Sequence, residues 1–107
     1  METPFRALAE PRRREILRLL TSGELTSGAV ASHFEVTGPA ISQHLRVLAD
    51  AGLVTMRREG TRRLYKTRPE GLAEVQEFLA TFWANGLQRM AAEAETEERR
   101  TSHGSTN

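Results

Sequence analysis

The chain contains no cysteine, which removes disulfides, thiolate metal sites, thiol redox switches and cysteine nucleophiles together. Nor does it hold an apolar run near the ~20 residues that cross a bilayer. Its opening, Met-Glu-Thr-Pro, lacks the basic region and apolar stretch of a signal peptide. These absences lead to the expectation of a cytoplasmic protein with no membrane partner. Aromatics are few, at 6%, and apolar residues amount to 38%, lean for a core but above the level of a disordered chain. A length of 107 residues leaves room for one small domain, and oligomerisation would bury surface that so small a core leaves exposed. Catalytic patterns are missing too. No Ser-His-Asp arrangement or Gly-rich phosphate loop is legible, and the glutamates gather on one solvated helix end, so neither an enzyme nor a cofactor is expected.

What the chain does hold is a divided charge. The formal net charge is +1, yet residues 1–68 carry twelve cations against seven acids, or +5. Residues 69–107 carry three cations against seven acids, or −4. Eleven of the first twelve cations are arginine, the side chain that forks onto phosphates and guanine edges. A basic body with an acidic end suggests one side turned toward a polyanion and another held away from it.

The local signals run as helix, helix, short helix, helix, hairpin, helix. Pro4 opens a short helical piece with Phe5 and Leu8, and Pro11 suits the first turn of the next helix. There Ile16, Leu17, Leu19 and Leu20 repeat at helical spacing until Gly23. Thr26 or Ser27 can cap a short third helix with Val30, Ala31 and Phe34 inward. Thr37 is a suitable N-cap for a fourth, with Pro39 in its first turn and Ile41, Leu45 and Leu48 as its buried stripe. Gly52 is placed to take the left-handed conformation that ends helices. From Leu53 the period becomes that of strands, and residues 53–67 read as a β-hairpin with an arginine-rich tip. A two-residue loop at Glu59-Gly60 pairs Val54 with Tyr65 and Met56 with Arg63; a three-residue loop pairs Val54 with Leu64. Each leaves one apolar residue on the outer face. Pro69 opens a last helix whose Leu72, Val75, Phe78, Leu79, Phe82, Trp83, Leu87 and Met90 recur at threes and fours. Gly86 weakens its middle by roughly 1 kcal/mol relative to Ala.

This order is a winged helix-turn-helix, mainly α with a small β-hairpin wing and a long C-terminal dimerisation helix. A major groove about 12 Å wide admits one helix, whose N-terminal turn must be free of bulky apolar groups. With Ile41, Leu45 and Leu48 inward, Thr37, Gly38, Pro39, Ser42, Gln43 and Arg46 face out or flank the outer side. Gln bridges adenine N6 and N7, and Arg forks onto guanine O6 and N7. Arg57, Arg58, Arg62 and Arg63 on the wing suit phosphates or an adjacent minor groove. His44, beside the buried stripe, is read as a packed or phosphate-bonded ring and not as a metal ligand.

Three runs, FRALAEPRRREIL at 5–17, VTGPAISQHLRVLADAGLV at 36–54 and RREGTRRLY at 57–65, closely resemble bacterial repressors of the ArsR/SmtB type. The resemblance covers roughly residues 4–90. It implies a winged-helix homodimer that binds a double-stranded operator and represses transcription, often of its own operon. Metal-sensing members use a Cys-containing motif or paired Asp/His sets on the last helix, and both are missing here. The match is therefore nearer to the cysteine-free members that use no metal, and nothing in these residues specifies an inducer.

The remaining features have plainer readings. His33 is a surface residue, and His103, near Glu97 and Glu98, makes at most a weak zinc mix. The Phe78/Phe82/Trp83 stripe reads as core plus dimer seam, not as a ligand pocket. With Phe5, Leu8, Val75 and Leu79 it forms the expected dimer interface. Residues 1–95 are assigned to the DNA-binding and dimerisation domain and 96–107 to a flexible polar tail. The rival reading is a winged helix serving as a protein-interaction or RNA-binding module. Exposed Gln43 and Arg46 argue against interaction alone. The lack of exposed aromatics near the wing, Tyr65 apart, argues against single-stranded RNA.

Overall fold

In the computed structural model, which describes residues 3–87, capping chemistry sets most helix boundaries. Helix α1 (Pro4–Leu8) starts where the Thr3 side chain accepts from the Arg6 N–H at 3.2 Å. Helix α2 (Pro11–Leu20) starts where the Glu10 carboxylate accepts from the Arg12 N–H at 3.4 Å. The two are tied by arginine. Arg13 Nε donates to the Ala7 carbonyl at 2.7 Å, and an Arg14 guanidinium N–H donates to the Leu8 carbonyl at 2.7 Å. Two members of the basic set thus serve the end of α1, satisfying carbonyls that a helix terminus leaves open.

A short strand β1 (Leu25–Thr26) leads into α3 (Ser27–Ala31), capped by Thr26, whose hydroxyl accepts from the Ala29 N–H at 3.0 Å. Of the two cap candidates, Thr26 is therefore the cap. Helix α4 (Gly38–Asp50) begins at Thr37, which accepts from the Ala40 N–H at 3.2 Å. Its stripe of Ile41, Leu45 and Leu48 is fully buried, as the spacing predicts. At its end the Leu53 N–H reaches the Leu48 carbonyl and the Gly52 N–H reaches the Ala49 carbonyl, both at 3.0 Å. This double closure needs a left-handed residue, and Gly52 supplies it with φ +78°.

Strands β2 (Val54–Glu59) and β3 (Arg62–Thr67) form the wing, and the sheet order is β1-β3-β2, antiparallel throughout. Two expectations are corrected here. The wing is part of a three-stranded sheet, because β1 uses the second edge of β3, pairing Leu25 with Tyr65 and Thr26 with Leu64. The register is neither of the two expected: Val54 faces Thr67, Met56 faces Tyr65, Arg58 faces Arg63 and Glu59 faces Arg62. The loop is Gly60-Thr61, with Gly60 at φ +64°, so Glu59 stays in the strand. The two-residue register expected from sequence puts Arg57 opposite Arg62. The observed one puts Glu59 there and gives Met56 an aromatic partner. The opposite-charge and apolar pairs stabilise their cross-strand positions and offset the like-charged pair, Arg58 with Arg63, that the same register creates.

Helix α5 (Pro69–Phe82) continues into a π-helical turn, Trp83–Leu87, that contains Gly86. The chain divides into two compact units, residues 1–75 and 76–107. The first holds the core, built from Ile16, Leu20, Val30, Ile41, Leu45, Leu48 and Leu53, with Leu8, Leu72 and Val75 packed against it. In the second, the Phe78 and Phe82 rings meet edge to face with centroids 5.1 Å apart. Phe78, Leu79, Phe82 and Trp83 are each about half exposed or more. The apolar stripe therefore changes role along its length, half-buried against the core at Leu72 and Val75 and exposed at Phe78, Leu79, Phe82 and Trp83. Met90, His103 and the expected boundary after residue 95 lie outside the described residues.

Candidate nucleic-acid interface

The outer side of α4 carries Ser42, Gln43 and Arg46, all exposed, below an N-terminal turn in which Thr37, Gly38 and Pro39 are exposed as well. The buried stripe fixes this outcome, since side chains three and four residues apart share a face of the helix. Beside this side lies the wing. Direct cross-strand partners share a face of a sheet, so Met56 with Tyr65 and Arg58 with Arg63 stand on one face. A groove of about 590 Å³ runs between the two elements, lined by Ser42, Gln43 and Arg46 on the helix and by Met56, Arg58 and Arg63 on the wing. Its acid is Asp50, in the last turn of α4. A second groove of about 520 Å³ shares Ser42 and Arg63 and extends past Ser27 and Gly28 to Thr61 and Arg62 at the wing tip.

The four wing arginines have different surroundings. Arg57 forks onto Glu24, donating from Nε and a terminal nitrogen at 2.9 and 2.8 Å, and also reaches Glu59 at 3.1 Å. Arg62 donates to Glu59 at 2.9 Å. These contacts, Glu24 first, raise the Arg57 pKa above its ordinary value. Glu24 is lowered by the bond from Arg57, against a smaller opposing effect of burial, and Glu59 is lowered by its bonds from Arg62 and then Arg57. Arg58 and Arg63 have no ion-pair partner among the described residues.

His44 turns the other way. It is half-buried and lines neither groove. Its Nδ1 lies 3.5 Å from an Arg13 guanidinium nitrogen. Since arginine only donates, Nδ1 is the acceptor in this contact. Burial, then the Arg13 charge, lowers its pKa below the ordinary histidine value. His33 is exposed, with Nδ1 2.9 Å from the Ala29 carbonyl. No cluster of three or more potential metal ligands exists among the described residues. Sequence reasoning missed Met56 as a groove-lining residue and Glu24 as the partner of Arg57. Strand alternation carried a signal for the first. The second depends on β1, for which the sequence gives no alternating run.

Residues 10–56 match the family model described as bacterial regulatory protein, arsR family. The chain is 45% identical over 83 residues to the HTH-type transcriptional regulator Rv2034 of Mycobacterium tuberculosis, covering 78% of each protein. It is 35% identical over 79 residues to an arsenical resistance operon repressor of Staphylococcus xylosus, covering 74% of this chain and 76% of that one. Among solved structures, it resembles a possible transcriptional regulator for arsenical resistance, with a TM-score of 0.72 and 48% identity over 81% of this chain and 91% of that one. It also resembles the homodimeric winged helix-turn-helix DNA-binding domain Mb0332 of Mycobacterium bovis, with a TM-score of 0.60 and 36% identity over 76% of this chain and 75% of that one.

Proposed function

The chain belongs to the arsR family of bacterial regulatory proteins, a DNA-binding transcriptional regulator by that membership, and we propose that it is a homodimeric repressor of its own or a neighbouring operon. The observation that carries this reading is the exposed side of α4, with Ser42, Gln43 and Arg46 facing one groove with Arg58 and Arg63. In this reading Gln43 and Arg46 read base edges, the first turn at Thr37, Gly38 and Pro39 approaches the duplex, and the wing arginines that border the grooves, Arg58, Arg62 and Arg63, follow the phosphates. A two-fold dimer presents its two α4 helices about one helical turn apart, roughly 34 Å, so the operator is an inverted repeat. Phe5, Leu8, Val75, Phe78, Leu79, Phe82 and Trp83 form the dimer seam, in keeping with the homodimer known for Mb0332. No described helix is long and apolar enough to cross a membrane.

The test begins by mapping the bound genomic sites, starting with the protein's own promoter. Fluorescence anisotropy then compares that site with a random-sequence duplex. Gln43→Ala or Arg46→Ala should cost about 1–3 kcal/mol on the operator and much less on random duplex. Equal, sequence-blind losses would mean that α4 reads no bases, and a winged-helix interaction module would then describe the protein better. Competition by RNA as strong as by duplex DNA would point to an RNA-binding module.

A further inference from the structure

We propose that the wing grips the phosphate backbone through Arg58 and Arg63 acting as a pair, and that Arg57 is committed to Glu24 and takes no part in that grip. This rests on the DNA-binding reading above and goes further by dividing the wing arginines.

The charges of the wing are unevenly matched. Arg58 and Arg63 face each other directly across β2 and β3, an arrangement that repels when both side chains are charged. Acids are present on this hairpin and could relieve it, yet they are spent elsewhere. Glu59 takes Arg62 and part of Arg57, and Glu24 takes the fork of Arg57. The like-charged pair is left bare on the groove that faces Gln43 and Arg46. Unrelieved repulsion at one spot, with neutralisation one residue away, describes a surface completed by an external anion. Two guanidinium groups opposite each other on the groove wall suit successive phosphates of a strand, with Arg supplying forked donors to each.

Arg57 has the opposite setting. It alternates to the other face of β2, pairing across to Leu64, and Leu64 is buried. Its fork onto Glu24 joins the wing to the residue immediately before β1. Three of the five N–H donors of Arg57 already serve two carboxylates, whose negative charge a phosphate would have to displace. Arg62 also carries its charge on Glu59 but borders the second groove at the tip, so Arg57 is the sharper contrast.

The experiment measures anisotropy of a random-sequence duplex over a range of salt concentrations, which needs no operator. Arg58→Ala and Arg63→Ala should each flatten the dependence of log affinity on log salt, by about 0.9 for each phosphate that a subunit no longer neutralises. Arg57→Ala should keep the wild-type slope. Thermal midpoints supply a second reading: Arg58→Ala and Arg63→Ala should match or exceed wild type, because each removes a repelling neighbour. The division is overturned if Arg57→Ala flattens the slope as much as Arg63→Ala does. It is equally overturned if Arg58→Ala and Arg63→Ala leave the slope intact or lower the midpoint. A wild-type protein that binds no duplex would instead sink the regulator reading, and the division with it. Failure of the division alone would leave wild-type binding and the operator-specific losses at Gln43 and Arg46 in place.

Discussion

Gly71, in the first turn of α5, lies directly against the backbone of Gly52, the residue that ends α4. A Cβ added to Gly71 would overlap the Gly52 carbonyl oxygen and come within 2.9 Å of its carbonyl carbon and 3.4 Å of Leu53 Cα. All three neighbours are backbone, so no side chain can swing aside. The same carbonyl accepts from the Arg68 guanidinium at 3.2 Å, and the Arg68 N–H donates to the Leu53 carbonyl at 2.8 Å. The start of α5 is therefore seated on the closing turn of α4.

An alanine at position 71 tests this seat. In an open helix Gly→Ala is stabilising by roughly 1 kcal/mol. Here the overlap should reverse the sign, and Gly71→Ala should destabilise by about 1–3 kcal/mol, in the range of overpacking. Urea unfolding should show a lower midpoint with an unchanged slope. A gain in stability would mean that the two backbones do not touch.

His44 should make stability fall on the acid side. Its folded-state pKa lies below the ordinary 6.5, through burial first and the Arg13 charge second. The unfolded chain therefore binds its proton more readily than the folded one, and stability rises with pH through this range. The contribution is complete above the ordinary value and is lost as pH falls from about 6.5 toward the lower folded value. A neutral His44→Gln variant should show a flatter pH dependence of the urea midpoint over that interval than wild type. Parallel profiles would show that His44 does not titrate against folding.

Legibility in the sequence followed the range of the interactions. Thr37, Pro39 and Gly52 act within a few residues of themselves, so the start and stop of α4 could be read directly, and with them the exposed side holding Gln43 and Arg46. The hairpin was legible as a hairpin, but its register was not. Which residue faces Arg62 depends on whether Glu59 joins the strand or the loop, and that turns on Gly60 taking φ +64° and on ion pairs to Arg57 and Arg62. Strand β1 left no pattern at all. Leu25 and Thr26 are two residues long as a strand and exist as one only because β3 offers an open edge. The different ion pairing of Arg57 against Arg58 and Arg63 followed from these two distant facts together.

The apolar surface beyond Val75 gives the dimer its test. Phe82 is 48% and Trp83 64% exposed within one chain, and large aromatic side chains gain most from burial between subunits. Trp83 is the only tryptophan, so its emission reports on this seam without labelling. At micromolar concentration, sedimentation should give about twice the chain mass of 12.0 kDa. Dilution should shift Trp83 emission to the red over the same concentration range in which the sedimenting mass halves. Phe82→Asp, which places a charge in the seam, should give a folded monomer with red-shifted emission at all concentrations and weaker operator binding. The weakening follows because each subunit then binds its half-site alone, without the advantage of a linked second half-site. A wild-type monomer that binds the operator with full affinity, or a Phe82→Asp dimer with unshifted emission, would show that the seam lies elsewhere.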